Sequence, residues 1–194
     1  MTTTNSRVSS YHWLRPVAVT APLLLLSYGI LRLIDGLDGH RDKSAWQWMT
    51  GHTLFLLGIV AFGAVIVGLH GRLRTASSRL RTVDDVSALA GLIGAAGFVW
   101  VILGDLFPRF ADAVATPEVV LLGGPALFEL GLLVLLVRAA VLRLLPASGP
   151  VLVLAGFVAI AVNLDLLPVG AALVFGGLLP LGKPAVWSGR SGQA

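Results

Sequence analysis

Apolar stretches close to a bilayer in length alternate with short polar segments along this chain. A run of about 18 or more apolar residues with few charges forms a transmembrane helix, because lipid offers no partner to an unpaired backbone amide. Such runs lie at 14–34, 46–69, 86–107 and 125–144. The first is longer than the apolar region of a signal peptide, about 7–15 residues, and no A-x-A cleavage site follows it, so it is expected to be retained. Trp46 and Trp48 stand where interfacial anchors belong. Thr82 is placed to cap the third span, with Asp84 and Asp85 in its first turn. Gly123-Gly124-Pro125 marks the start of the fourth, with proline where its missing amide costs nothing. That leaves 118–122 at the interface.

The last stretch, 151–181, is too long for one crossing. A single helix would measure about 46 Å at 1.5 Å per residue, against a hydrocarbon core of about 30 Å. Asn163, Asp165 and Pro168 would also fall in its middle. A hairpin of 150–163 and 166–181 fits better, either as two crossings or as a re-entrant pair buried in protein. The pattern therefore predicts an all-α polytopic membrane helix bundle of six transmembrane helices over 14–182, between cytoplasmic tails at 1–13 and 183–194.

Loop charge orients this bundle. With the N-terminus inside, Arg7, Arg15, Arg72, Arg74, Arg79, Arg81, Arg138, Arg143, Lys183 and Arg190 lie on the inner side. Arg32, Arg41, Lys43 and Arg109 lie outside. The excess of inner cations predicts N-in and C-in.

An internal echo suggests three repeated helical hairpins. Residues 51–58 and 124–131 both read G-x-x-L-F-x-L-G, with a weaker copy at Gly170, Leu173, Val174 and Gly177. Asp105-Leu106-Phe107-Pro108 and Asp165-Leu166-Leu167-Pro168 share D-L-x-P. Small residues spaced four apart, such as Gly91 and Ala95, suit close helix packing in lipid, where no hydrophobic force drives helices together.

Composition sharpens the picture. The chain is 56% hydrophobic and 12% charged, with a mean hydropathy of +0.88; soluble domains carry about 25% charged residues. It contains no cysteine, which excludes disulfides, thiolate metal sites and thiol chemistry. A net charge of +4 would suggest nucleic acid in a soluble protein, but here topology accounts for the basic residues. The lipid bilayer is thus the expected partner. A strong preference for arginine over lysine, with abundant Ala, Gly, Leu and Val, suggests a GC-rich bacterium and a bacterial plasma membrane.

Ionisable groups inside a span are costly and often functional. Glu129 lies about one turn inside the fourth span; Leu56 takes its place in the second, so the fold does not require an acid there. It is a candidate proton- or cation-binding carboxylate, or else a shallow acid reaching the headgroups. His52 lies on the same side and could pair with Glu129 or Asp105. His70 is five turns from His52, about 27 Å along the axis, so the two cannot share a metal. His12 and His40 fall outside the spans, which argues against a haem carrier. No metal or cofactor is expected. Arg32 and Asp35 are three apart and can pair; with Asp38, Asp105, Asn163 and Asp165 they make an outer polar ring. Asp35-Gly36 and Asp38-Gly39 read as turns, not calcium ligands.

The stretch 28–39, YGILRLIDGLDG, followed by Gly51-His52, resembles uncharacterised small multi-pass membrane proteins of actinobacteria. The resemblance covers roughly the first two spans and implies a bacterial plasma membrane without implying an activity. Three hairpins also resemble the plan of mitochondrial carriers, but the P-x-[DE]-x-x-[KR] signature is absent and the chain is too short.

The leading functional expectation is a non-enzymatic, transporter-like or accessory membrane protein with an outward-facing polar pocket around His52, Asp105, Glu129 and Asp165. The alternatives are a membrane enzyme acting on a lipid or isoprenoid, with Glu129 or an aspartate as general acid, and a structural subunit of a membrane complex whose acids are all locally paired.

Overall fold

The computed structural model describes residues 12–37 and 45–182. These form the helices α1 (Leu14–Asp35), α2 (Trp46–Ala76), α3 (Arg81–Leu106), α4 (Pro108–Ala113), α5 (Glu118–Val141), α6 (Ser148–Val162) and α7 (Leu167–Leu178), with short 3-10 turns at Leu164–Leu166 and Leu179–Gly182. There is no strand among the described residues. The helices α1, α2, α3 and α5, and the continuous segment Leu164–Leu181, are long and apolar enough to cross a membrane. The α6 helix is as apolar but has only 15 residues, about 22 Å of axial rise.

Several boundaries differ from the sequence reading for local reasons. The α3 helix begins at Arg81, and its N-cap is Leu80 in the left-handed region at φ 61°, so Thr82 lies inside the first turn rather than capping it. Pro125 does not start a helix. It lies within α5, which begins after Pro117 and absorbs 118–122. A proline inside a membrane helix frees one carbonyl, which neighbouring helices and local adjustment can accommodate. The end of α5 carries a second left-handed residue, Arg143 at φ 58°. There Leu144 N–H donates to Ala139 O at 2.8 Å and Arg143 N–H to Ala140 O at 2.9 Å. This paired closure satisfies the last carbonyls and turns the chain into α6.

The break between α6 and α7 falls where the polar residues demanded it. Asn163 is extended, and its Oδ1 accepts from Asp165 N–H at 2.8 Å, holding the 3-10 turn that reverses the chain. Pro168 then sits in the first turn of α7.

The helices α1, α2, α3, α5, α6 and α7 pack in that order into a closed ring, with α7 returning to α1 and α2 also touching α5. Three antiparallel pairs make up the ring, and in each the second helix presents two glycines, seven residues apart, to the first. Gly51 and Gly58 of α2 meet Tyr28 and the backbone of Ala21 on α1. Gly124 and Gly131 of α5 meet Gly97 and Gly91 on α3. Gly170 and Gly177 of α7 meet the carbonyls of Gly156 and Gly149 on α6. The glycines of the echo thus lie at a helix contact in each of the three pairs. At Gly131, Gly170 and Gly177 the backbones approach to where a Cβ would collide, while Gly51, Gly58 and Gly124 sit in ordinary or slightly tight contact; close packing through small residues favours helix association in lipid.

The end of the bundle near residues 70–85 and 138 is held by charge. Asp84 is fully buried. Arg138 donates to it from Nε at 3.0 Å and from Nη2 at 3.4 Å, and Nη2 also donates to Arg79 O at 2.9 Å. His70 Nε2 lies 2.6 Å from Asp85 Oδ1, tying α2 to α3.

Candidate functional site

Near the opposite end, the ring encloses a cavity of about 270 Å³. Aromatic rings make up much of its wall: Tyr28, Phe55, Phe62, Phe98, Phe128 and Phe157 come from α1, α2, α3, α5 and α6. The rings support each other. Phe128 stands edge-on to Phe62, Phe98 and Phe157 with centroids 5.5–6.0 Å apart, and Phe55 stacks on Tyr28 at 4.6 Å. Such contacts fix the rings and keep the wall rigid. The α7 helix closes the ring with Leu167.

Besides the Tyr28 hydroxyl, a guanidinium, an imidazole and two carboxyl groups enter this apolar chamber: Arg32, His52, Asp105 and Glu129. His52 is 4% exposed. Its Nδ1 lies 2.9 Å from the Trp48 carbonyl, its ring stacks on the Trp48 indole at 4.1 Å, and Tyr28 meets it edge-on at 5.2 Å. A carbonyl only accepts, so Nδ1 carries the proton. The other nitrogen, Nε2, then faces Asp105 Oδ2 at 3.7 Å. A lone pair facing a carboxylate is repulsive, so this contact is attractive only when one further proton sits on Nε2 or on Asp105. The indole Nε1 of Trp48 donates to Asp105 O at 3.4 Å, which links the start of α2 to the end of α3.

Glu129 is half-buried and belongs to two spaces at once. It lines the aromatic cavity, and it also lines a groove of about 290 Å³ between α5 and α6, together with Phe157. Among the described residues it has no hydrogen bond or ion pair. Arg32 Nε and Asp35 Oδ2 are both buried without a hydrogen-bond partner among the described residues, and no ion pair joins Arg32 to Asp35 there.

Of the residues singled out in the sequence, His52, Asp105 and Glu129 therefore meet at one cavity, and Arg32 joins them. Asp165 does not line it. It is exposed in the 3-10 turn between α6 and α7, where its neighbour Leu164 faces the cavity instead. Asp38 and His40 lie outside the described residues, as do the tails at 1–11 and 183–194. His12 is exposed just before α1, and His70 is engaged by Asp85. Among the described residues no group of three or more His, Asp or Glu is placed to hold a metal ion.

The aromatic wall was not singled out in the sequence, although Trp48 and His52 are spaced to stack on one helix face. The Asp84–Arg138 pair was also missed, because each residue had a sufficient explanation of its own, helix dipole for one and topology for the other. No protein family, curated protein or solved structure matches this chain.

Proposed function

We propose that this chain is a transporter-like or accessory protein of a bacterial plasma membrane whose aromatic cavity binds a small molecule reached from the outer face. The observation that carries this reading is the cavity itself: a rigid apolar wall with a few convergent polar groups is the usual form of a small-molecule site, here with Arg32, His52, Asp105 and Glu129 supplying the polar groups. In this reading the ring crosses the bilayer six times, with both tails inside. The short α6 is then sheltered by α5 and α7, and the loop cations near residues 72–81 and 138–143 face the cytoplasm.

A second reading, an enzyme acting on a lipid or isoprenoid, draws support from the groove between α5 and α6, through which such a substrate could reach Glu129. It would use Glu129 as general acid. The binding reading asks less of the site, since it needs no second reactive group beside that carboxylate.

Because the chain has no cysteine, single cysteines report access cleanly. A membrane-impermeant thiol reagent added outside intact cells is expected to label Phe98→Cys, in the cavity wall, and Leu37→Cys, an exposed control at the same end. Labelling at Leu37→Cys without any at Phe98→Cys would defeat the outward-facing pocket.

A further inference from the structure

Glycine contacts join five of the six seams of the ring. Besides the three pairs described above, Gly91 meets Ile66 and Gly63 meets Leu92 between α2 and α3, and Gly29 meets Leu167 between α1 and α7. The α5–α6 seam has none: the glycines of α5 that touch another helix face α3, and those of α6 face α7. This seam also holds the groove shared by Glu129 and Phe157. Its remaining lining is apolar, and Leu130, Leu154 and Val158 are 47–60% exposed, on the surface that meets hydrocarbon. Glu129 and Phe157 are thus all that the cavity and this lateral groove have in common, a carboxylate and a ring on the wall between them.

Charge narrows what could occupy it. With the further proton that makes their contact attractive, Asp105 and His52 satisfy each other. Glu129 and Arg32 are left over, one anion and one cation on the wall of the same chamber, neither with a partner among the described residues. A purely anionic guest would meet Glu129 unfavourably, and a purely cationic one would meet Arg32. A guest carrying both charges satisfies both groups, and charged groups removed from water need such partners. We infer that the cavity holds the headgroup of a zwitterionic membrane amphiphile, with its ammonium at Glu129, its anionic group at Arg32 and its hydrocarbon tail leaving between α5 and α6. The aromatic wall suits the ammonium as well, since ring faces attract alkylammonium groups. This inference rests on the pocket reading above and names the ligand class for the same site.

The test uses the full chain in neutral maltoside micelles, with binding read by native mass spectrometry and by thermal shift. Four probes are compared: lysophosphatidylethanolamine, lysophosphatidylglycerol, dodecyltrimethylammonium and free phosphoethanolamine. The zwitterionic lysolipid is expected to bind about tenfold or more tightly than the others, the scale of one charge-assisted contact. Glu129→Gln is expected to abolish its advantage over the anionic lysolipid, and Arg32→Gln its advantage over the cationic detergent. Ala161→Trp, which fills the groove, is expected to weaken both lysolipids. Equal binding of free phosphoethanolamine would overturn the lateral tail, and a preference that neither charge variant alters would overturn the headgroup assignment. Preference for one of the other probes would sink this inference and leave the binding pocket standing; no binding of any probe would count against both.

Discussion

The two ends of the bundle use charge in opposite ways. At the end near Arg138, the buried Asp84 is bonded by two nitrogens of one guanidinium, and that guanidinium is further bonded to Arg79 O. At the other end, Arg32 Nε, Asp35 Oδ2, Gln47 Oε1 and Trp100 Nε1 are buried without hydrogen-bond partners among the described residues. Buried polar atoms normally find partners, and each exception needs an explanation. Of the four, Arg32 lines the cavity, where a ligand or water would satisfy it. The comparison separates polar residues that hold the helices together from polar residues kept available.

The largest expected effect is at the satisfied end. Arg138→Gln strands a buried carboxylate and is expected to cost about 3–5 kcal/mol. Thermal unfolding in detergent checks this, and the double variant Asp84→Leu/Arg138→Met is expected to recover much of the loss, since replacing both charges with apolar groups is often neutral. Next comes the glycine contact between α3 and α5. Gly131→Val would drive a side chain into the backbone of Gly91 and Ser87, with an expected loss of about 1–3 kcal/mol or more, whereas Gly123→Ala, which meets only its own helix's Val119, is expected to be near neutral.

Smaller effects are expected at the cavity end. His52→Ala removes the bond to the Trp48 carbonyl and two ring contacts, at about 1–3 kcal/mol. Its clearest readout is Trp48 fluorescence, since the stacked imidazole is lost. Glu129→Gln is expected to change stability by less than about 1 kcal/mol, because no partner is abandoned. If Glu129→Gln unfolds the protein, the carboxylate is structural and the contrast between the ends fails.

Much of this architecture was legible because lipid forces the sequence to declare its helices. The break at Asn163 followed from the cost of Asn163, Asp165 and Pro168 in hydrocarbon, and the chain reverses there. Helix starts were less legible. Proline at 125 looked like a beginning because its missing amide is harmless at a first turn, yet α5 passes through it. Likewise Leu80, with no polar side chain, caps α3 through its left-handed backbone, which residue type does not announce. The repeat was visible as letters, and its meaning came only with the pairs Gly124–Gly97 and Gly170–Gly156, which are distant in sequence. At the site, intramembrane titratable groups were conspicuous as costly residues, so His52, Asp105 and Glu129 could be nominated. The aromatic wall could not, because one phenylalanine among many leucines shows no inward direction until the ring closes.

The most direct test sets the two ends against each other in one measurement: the unfolding midpoints of Arg138→Gln and Glu129→Gln beside the unaltered chain, in the same detergent without added ligand. A fall on the order of 10 °C is expected for Arg138→Gln, and little or none for Glu129→Gln. Equal falls for the two variants, or a larger one for Glu129→Gln, would contradict this contrast.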